Sequence, residues 1–208
     1  NRFGFFTKVD IPFVENAAGV KNFSHPSDIL STGFGQSSSV TALQMVQAYS
    51  AIFNDGVMMR PYVVEKIVDS YSNETIKSWP SEEVGQPISA QSAEYVRELM
   101  GRVVSEEYGS GNRYAMEDVD VIAKTGTGQI AGENGYDDEV YTSSVMMAAP
   151  ADDPKVLVYF CFVSENIIDF DEEPIKNVFK EALIAANVTS SQSSAQEESS
   201  TQDTEEGS

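Results

Sequence analysis

Cysteine and histidine are each present once, as Cys161 and His25, and basic residues are scarce. A lone cysteine excludes an intrachain disulfide and cannot by itself hold a metal. It lies in the apolar run Val156 to Val163 and is predicted to be a buried small hydrophobe. His25 is the sole candidate base for a serine-histidine-acid triad, and in the loop Ser24-His-Pro-Ser27 a solvated or capping role is predicted instead. Against 33 Asp and Glu stand 13 Lys and Arg, a net charge of −20. Phosphates and anionic lipids are contacted by clustered Lys and Arg, so nucleic acid is excluded as a direct partner. No apolar run reaches the ~18 residues that suggest a membrane span. Initiator methionine and signal peptide are both missing, and a chain that opens in mid-pattern at Asn1 is expected to be a fragment.

What is present suits one domain of ordinary size, since 41% hydrophobic residues over 208 positions can form a core. Residues 1 to 36, punctuated by Pro12, Gly19, Pro26, Gly33 and Gly35, are predicted to be irregular. Thr41 with Gln44 makes a capping box for a helix whose stripe is Ala42, Met45, Val46, Tyr49, Ile52 and Phe53, ended by Asn54-Asp-Gly56. Tyr62 to Val68 and Thr75 to Trp79 form a predicted hairpin turned at Ser72-Asn73, with Trp79 as packing rather than a binding platform. Ser89 caps a second helix carrying Ala93, Val96, Leu99, Met100 and Val103.

Thr142 to Ala149 and Val156 to Val163, joined by the turn Ala151-Asp-Asp-Pro154, complete a predicted antiparallel meander whose last strand is central and buried. Pro174 suits the first turn of a final helix with the stripe Ile175, Val178, Phe179, Ala182, Leu183 and Ala186. The fold class is therefore α/β of the α+β type, an antiparallel sheet flanked by helices. Residues 1–187 form the expected domain. Residues 188–208 form an acidic, Ser-rich tail with too little apolar surface to offset its ordering entropy, predicted to be disordered.

No metal or cofactor is predicted. Asp169-Phe-Asp171-Glu-Glu173 begins like a calcium loop, but Pro174 stands where the turn glycine is required and Lys180 where the bidentate glutamate belongs. Asp137-Asp138-Glu139 reads as a solvated turn.

The stretch from Val119 to Ala131 carries the chemistry. Val119, Val121 and Ala123 alternate with Asp120, Ile122 and Lys124 at a strand's period and lead into Lys124-Thr-Gly-Thr127. A cation followed by two hydroxyls that flank a glycine suits an anionic, peptide-like ligand lying along a sheet edge. Gly126-Thr-Gly128-Gln-Ile-Ala131 also matches a dinucleotide fingerprint, which requires a following helix. Gly132-Glu-Asn-Gly-Tyr-Asp-Asp138 is turn chemistry, so the nucleotide reading is set aside.

Lys124-Thr125-Gly126 does not stand alone. Phe3-Gly-Phe5 with Val9-Asp-Ile-Pro12 and Glu15, Gly33-Phe-Gly-Gln36 with Val40-Thr-Ala-Leu-Gln-Met45, and Asn54-Asp-Gly-Val57 with Arg60-Pro61 precede it in order. In these motifs residues 1 to 187 resemble the C-terminal part of a class B penicillin-binding protein, a peptidoglycan D,D-transpeptidase. The resemblance implies a penicillin-binding or serine β-lactamase-like transpeptidase fold, incomplete at its N-terminus. It implies as partners stem peptides ending in D-Ala-D-Ala, β-lactam antibiotics, and division or elongation membrane proteins. It places the parent protein at the extracytoplasmic face of the cell membrane, held by an N-terminal anchor that this chain lacks. A bifunctional class A relative is a lesser rival, and a non-catalytic module binding wall peptides or β-lactams is the alternative from another class.

The site follows residue by residue. The resemblance implies catalytic roles for Lys124, as a positive charge that aids proton transfer, and for Thr127, whose N–H is an oxyanion-hole donor. It implies substrate binding by Thr125, Gly126 and Gln129, with Thr125 and Thr127 holding the terminal carboxylate. The family's Ser-x-x-Lys nucleophile is absent, since no serine here has a lysine three positions on. Ser110-Gly-Asn112 and Ser164-Glu-Asn166 spell Ser-x-Asn, but one stands too close before Lys124 and the other after it, so both are set aside. The chain alone is expected to be inactive. Ser37-Ser38 after Gln36, Gly128 where alanine is frequent, and Phe6 where glycine is usual depart from the pattern without touching Lys124 to Thr127.

Overall fold

A computed structural model of the chain describes residues 2–132, 135–165 and 171–188, apart from the side chains of 131, 132 and 135–138. The predicted tail lies, from residue 189, outside the described residues, as do Asp169 and Phe170 of the Asp169 cluster. The elements run α1 (Pro26–Thr32), α2 (Ala42–Phe53), β1 (Met58–Met59), β2 (Lys66–Val68), β3 (Thr75–Ser78), β4 (Glu83–Gly85), α3 (Ala90–Ser105), a 3-10 turn (Asn112–Tyr114), β5 (Ile122–Gly132), β6 (Gly135–Ala149), β7 (Val156–Glu165) and α4 (Glu173–Ala185). Among the described residues the strands form three sheets, ordered β1-β4, β2-β3 and β5-β6-β7. Neither connection within the last sheet is long enough for a crossover, so its strands alternate in direction. Helices with antiparallel sheets make this the expected α+β fold.

The chain divides into two compact units: Asn1–Arg97 with Gly126–Ser144 and Cys161–Ile168, and Glu98–Thr125 with Val145–Phe160 and Asp169–Ser208. In the first, the opening segment is irregular but fastened. The Asn16 side chain accepts from the Val9 N–H at 3.1 Å and donates to the Val9 carbonyl at 3.0 Å, which orders a segment whose Val9 and Ile11 are buried. Residues 26–32, predicted irregular, instead form α1. Pro26 opens it, Asp28 accepts the N–H of His25 at 2.8 Å, and Ser31 and Thr32 donate back to the carbonyls of Ser27 and Asp28. None of its residues is buried, so an apolar period could not announce it. His25 stands at the N-cap position of α1 and is exposed, as the predicted solvated or capping role allows.

The capping box of α2 forms as predicted, with Thr41 Oγ1 accepting from the Gln44 N–H and Gln44 Oε1 accepting from the Thr41 N–H. Its buried face differs from the predicted stripe. Gln44, Gln47, Ala48 and Ala51 are buried, while Met45, Val46, Tyr49, Ile52 and Phe53 are half-covered. Gln44 tolerates complete burial because its remaining donor reaches the Thr7 carbonyl at 2.7 Å. Half-covered is still apolar enough for burial to raise the Tyr49 phenol above its ordinary pKa.

The hairpin of β2 and β3 is present and shorter than predicted, its turn built by Asp69, which accepts the N–H groups of Ser72 and Tyr71 at 2.8 and 2.9 Å. Those bonds hold the Asp69 carboxyl below the usual carboxylate range. Trp79 is packing, as predicted: it is buried edge-on against Phe13, their centroids 5.2 Å apart.

The second unit has one apolar core. Val104, Tyr114, Val121, Ala123, Val145, Met147, Ala149, Ile175, Phe179 and Leu183 form it. Alternate residues of β6 and the i, i+4, i+8 positions of α4 supply most of it, the periodicities expected of a half-buried strand and an amphipathic helix. Burial raises the Tyr114 phenol above its ordinary pKa, Arg113 opposing and Glu172 reinforcing the shift.

Two expectations about the sheet are corrected. β7 is not central among the described strands; it stands at one end of the order β5-β6-β7 and is half-buried to exposed. Cys161, predicted to be buried, is exposed for the same reason: an end strand covered on part of one face cannot hide every residue of an apolar run. The turn predicted over Gly132 to Asp138, and with it the acidic turn at Asp137 to Glu139, is largely strand, because β6 already begins at Gly135.

Replacing Gln44 with leucine removes both halves of its network and leaves the Thr7 carbonyl without that partner. The substitution is expected to destabilise the chain by about 2 kcal/mol in urea unfolding. An unchanged midpoint would mean that the buried amide is not a fastening.

Candidate active site

β5 emerges from the core of the second unit. Val121, Ile122 and Ala123 are 6%, 1% and 0% exposed, and the next residue, Lys124, is exposed. Burial thus ends where the Lys-Thr-Gly sequence begins. The Lys124 ammonium donates to the Thr125 carbonyl. Thr125, half-buried, shares a hydrogen bond of 2.7 Å with the hydroxyl of Ser110.

Ser110 reaches Thr125 because its loop is clamped to the end of α3. The N–H of Gly111 donates to the Val103 carbonyl at 3.0 Å, that of Gly109 to Glu106 at 2.8 Å, and Asn112 Nδ2 to Val104 at 3.0 Å. Two glycines permit the approach. A Cβ on Gly109 would stand 2.2 Å from the Val103 carbonyl oxygen, and one on Gly111 2.9 Å from Val103 Cγ1.

In the first unit β5 continues as Gly126-Thr-Gly-Gln129. Gly126 and Thr127 are exposed; Gly128 and Gln129 are half-buried. A Cβ on Gly126 would lie 2.8 Å from Ser144 Oγ on β6, and one on Gly128 3.1 Å from Gln36 Nε2. The glycines therefore hold close approaches to neighbouring side chains rather than a phosphate. β5 remains a strand to Gly132, and the helix that a dinucleotide fingerprint requires does not follow it.

Two hydroxyls and an ammonium on a strand that stands at one end of the described order β5-β6-β7 can bind an extended anionic peptide by main-chain pairing and hydroxyl donation. The family model described as penicillin binding protein transpeptidase domain matches residues 1–183. The chain belongs to this family.

Within it, the chain is similar to stage V sporulation protein D of Bacillus subtilis, 32% identical over 160 residues that make up 76% of this chain and 24% of that protein. It is also similar to the probable peptidoglycan D,D-transpeptidase PenA of Neisseria gonorrhoeae, 30% identical over 69% of this chain and 23% of the relative. Among solved structures, penicillin-binding protein 2X from Streptococcus thermophilus superposes with a TM-score of 0.73 at 26% identity, covering 90% of this chain and 30% of that one. The chain thus spans about a quarter of the length of these relatives. The matched range includes Lys124-Thr-Gly126 and the upstream stretches Gly33 to Gln36 and Asn54 to Val57.

Lys124-Thr-Gly126 is legible in the sequence, whereas its neighbours in the structure are less so. Ser110 stands too near Lys124 in the chain for the family's second motif, yet a Ser between two glycines after a helix is a signal for a hydroxyl held on a tight loop. Gln36 fits the family pattern without announcing its contact, and Ser144 has no signal beyond the small-residue character of β6. Gly126→Ala drives its Cβ against half-buried Ser144 and is expected to cost about 1–3 kcal/mol. Gly128→Ala meets only the flexible end of Gln36 and is expected to stay within about 0.5 kcal/mol of the parent. Thermal unfolding of both variants checks this, and equal losses would contradict it.

Proposed function

We propose that the chain is the C-terminal part of the catalytic domain of a class B penicillin-binding protein. Its parent cross-links peptidoglycan stem peptides through an acyl-serine intermediate. The observation that carries this reading is the family match over residues 1–183, with Lys124-Thr125-Gly126 standing where the buried run of β5 ends.

In this reading the nucleophilic serine belongs to sequence preceding Asn1. Its hydroxyl oxygen attacks the carbonyl of the penultimate D-Ala, its proton passes to a neighbouring base and on to the leaving amine, and the peptide bond to the terminal D-Ala breaks, releasing D-Ala. An amine of another stem peptide then takes the acyl group and returns the serine. Lys124 stabilises negative charge and favours proton transfer, Thr125 and Thr127 hold the terminal carboxylate, and the Thr127 N–H faces the developing oxyanion. Gly126 admits the ligand's backbone and Gln129 contributes to the same wall. Penicillin, with a carboxylate beside a strained amide, occupies the donor's place and acylates the serine. The parent acts outside the cytoplasmic membrane from an N-terminal anchor, alongside membrane proteins of division or elongation; the substrate named for the related D,D-transpeptidases supports that location.

The full-length protein incubated with benzylpenicillin is expected to gain the antibiotic's mass on a serine N-terminal to Asn1. Lys124→Ala is expected to slow that step about 10²- to 10⁴-fold. The 208-residue chain alone is expected to gain no adduct. A full-length protein that never acylates would favour a non-catalytic wall-binding module, and an adduct on the isolated chain would overturn the location of the nucleophile.

A further inference from the structure

We propose that Ser110 is a positioning residue that turns the Thr125 hydroxyl proton toward the ligand's carboxylate. The proposal rests on the reading of Lys124 to Thr127 as the carboxylate-binding wall. A hydroxyl has one proton to donate. In the bond between Ser110 and Thr125, 2.7 Å long, either oxygen is able to donate. If Thr125 donates to Ser110, its proton is spent inside the protein. If Ser110 donates to Thr125, the threonine's own proton is left for an acceptor on the ligand side. A carboxylate accepts and never donates, so its arrival selects the second arrangement. The result is a chain running from Ser110 through Thr125 to the carboxylate, in which each bond strengthens the next.

The geometry makes Ser110 a fixed partner rather than a chance contact. Its loop is held by three hydrogen bonds from Gly109, Gly111 and Asn112 to carbonyls of Glu106, Val103 and Val104, all fixed before any ligand arrives. Gly109 and Gly111 allow an approach to Val103 that a Cβ would block. Thr125 is β-branched and sits in a strand, where its χ1 is restricted, so one good partner suffices to hold the hydroxyl. Ser110 itself is exposed, and burial does not explain its place. Serine and threonine keep the hydroxyl; alanine does not.

The test uses the full-length protein and separates the pre-acylation dissociation constant for benzylpenicillin from the acylation rate constant. Ser110→Ala is expected to raise the dissociation constant about 3- to 10-fold while the rate constant stays within about twofold. Ser110→Thr is expected to restore it. Thr125→Val is expected to produce a similar loss, and the double variant no more than Thr125→Val alone. With benzylpenicillin methyl ester, which has no carboxylate, Ser110→Ala and the parent are expected to bind alike. An unchanged constant in Ser110→Ala, an equal loss with the ester, or losses that add in the double variant would overturn the proposal and leave the transpeptidase reading intact. A parent protein that never acylates would overturn both.

Discussion

The constraint on which the site depends is the burial of Val121, Ile122 and Ala123 immediately before Lys124. Side chains in a strand alternate between faces, so a slip of one residue in β5 would exchange the face of every residue from Lys124 onward. Ala123 is 0% exposed within a core completed by Phe179, Leu183 and Met147. That packing fixes the register. Ala123 is also small enough for the loop that carries Ser110 to pass close: a Cβ on Gly111 would lie 3.6 Å from the Ala123 Cβ. One run of three residues thus anchors the strand and leaves room for the hydroxyl that meets Thr125.

Charge is used sparingly around this scaffold. Of the few cations, Arg60 pairs with Asp10 and Glu82 and is mostly buried, and Arg97 holds the Ile52 carbonyl and Asp55 across α2 and α3. These arginines brace the fold. Lys124, by contrast, is exposed at the end of a buried run in a chain of net charge −20, the setting in which the proposed function gives it an anionic ligand.

The parts of the fold legible in the sequence were those where a long period coincides with burial. The stripe of α4 is buried at Ile175, Phe179 and Leu183 and that of α3 at Ala93 and Met100, whereas Val178, Ala186 and Leu99, expected in the same stripes, are exposed at their margins. The capping box of Thr41 and Gln44 marked the start of α2, yet the buried face of that helix did not follow hydrophobicity. Two glutamines and two alanines are inside because the Gln44 amide is satisfied and the alanines are small. β7 misled because an apolar run says nothing about whether a strand has a neighbour on each side. β1 and β4 are two and three residues long, too short for any period to show. In the site, Lys124 to Gln129 were visible as a motif. The contact of Ser110 with Thr125 was not, because a contact across 15 positions through two glycine turns leaves no regular spacing to find.

The central claim is that Thr125 and Thr127 bind a carboxylate beside Lys124. A crystal structure of the full-length protein acylated by benzylpenicillin tests it most directly. The account predicts the antibiotic's carboxylate within hydrogen-bond distance of both threonine hydroxyls, with Ser110 still on Thr125. A carboxylate bound away from this strand, or an acylated protein in which neither threonine touches it, would contradict the account.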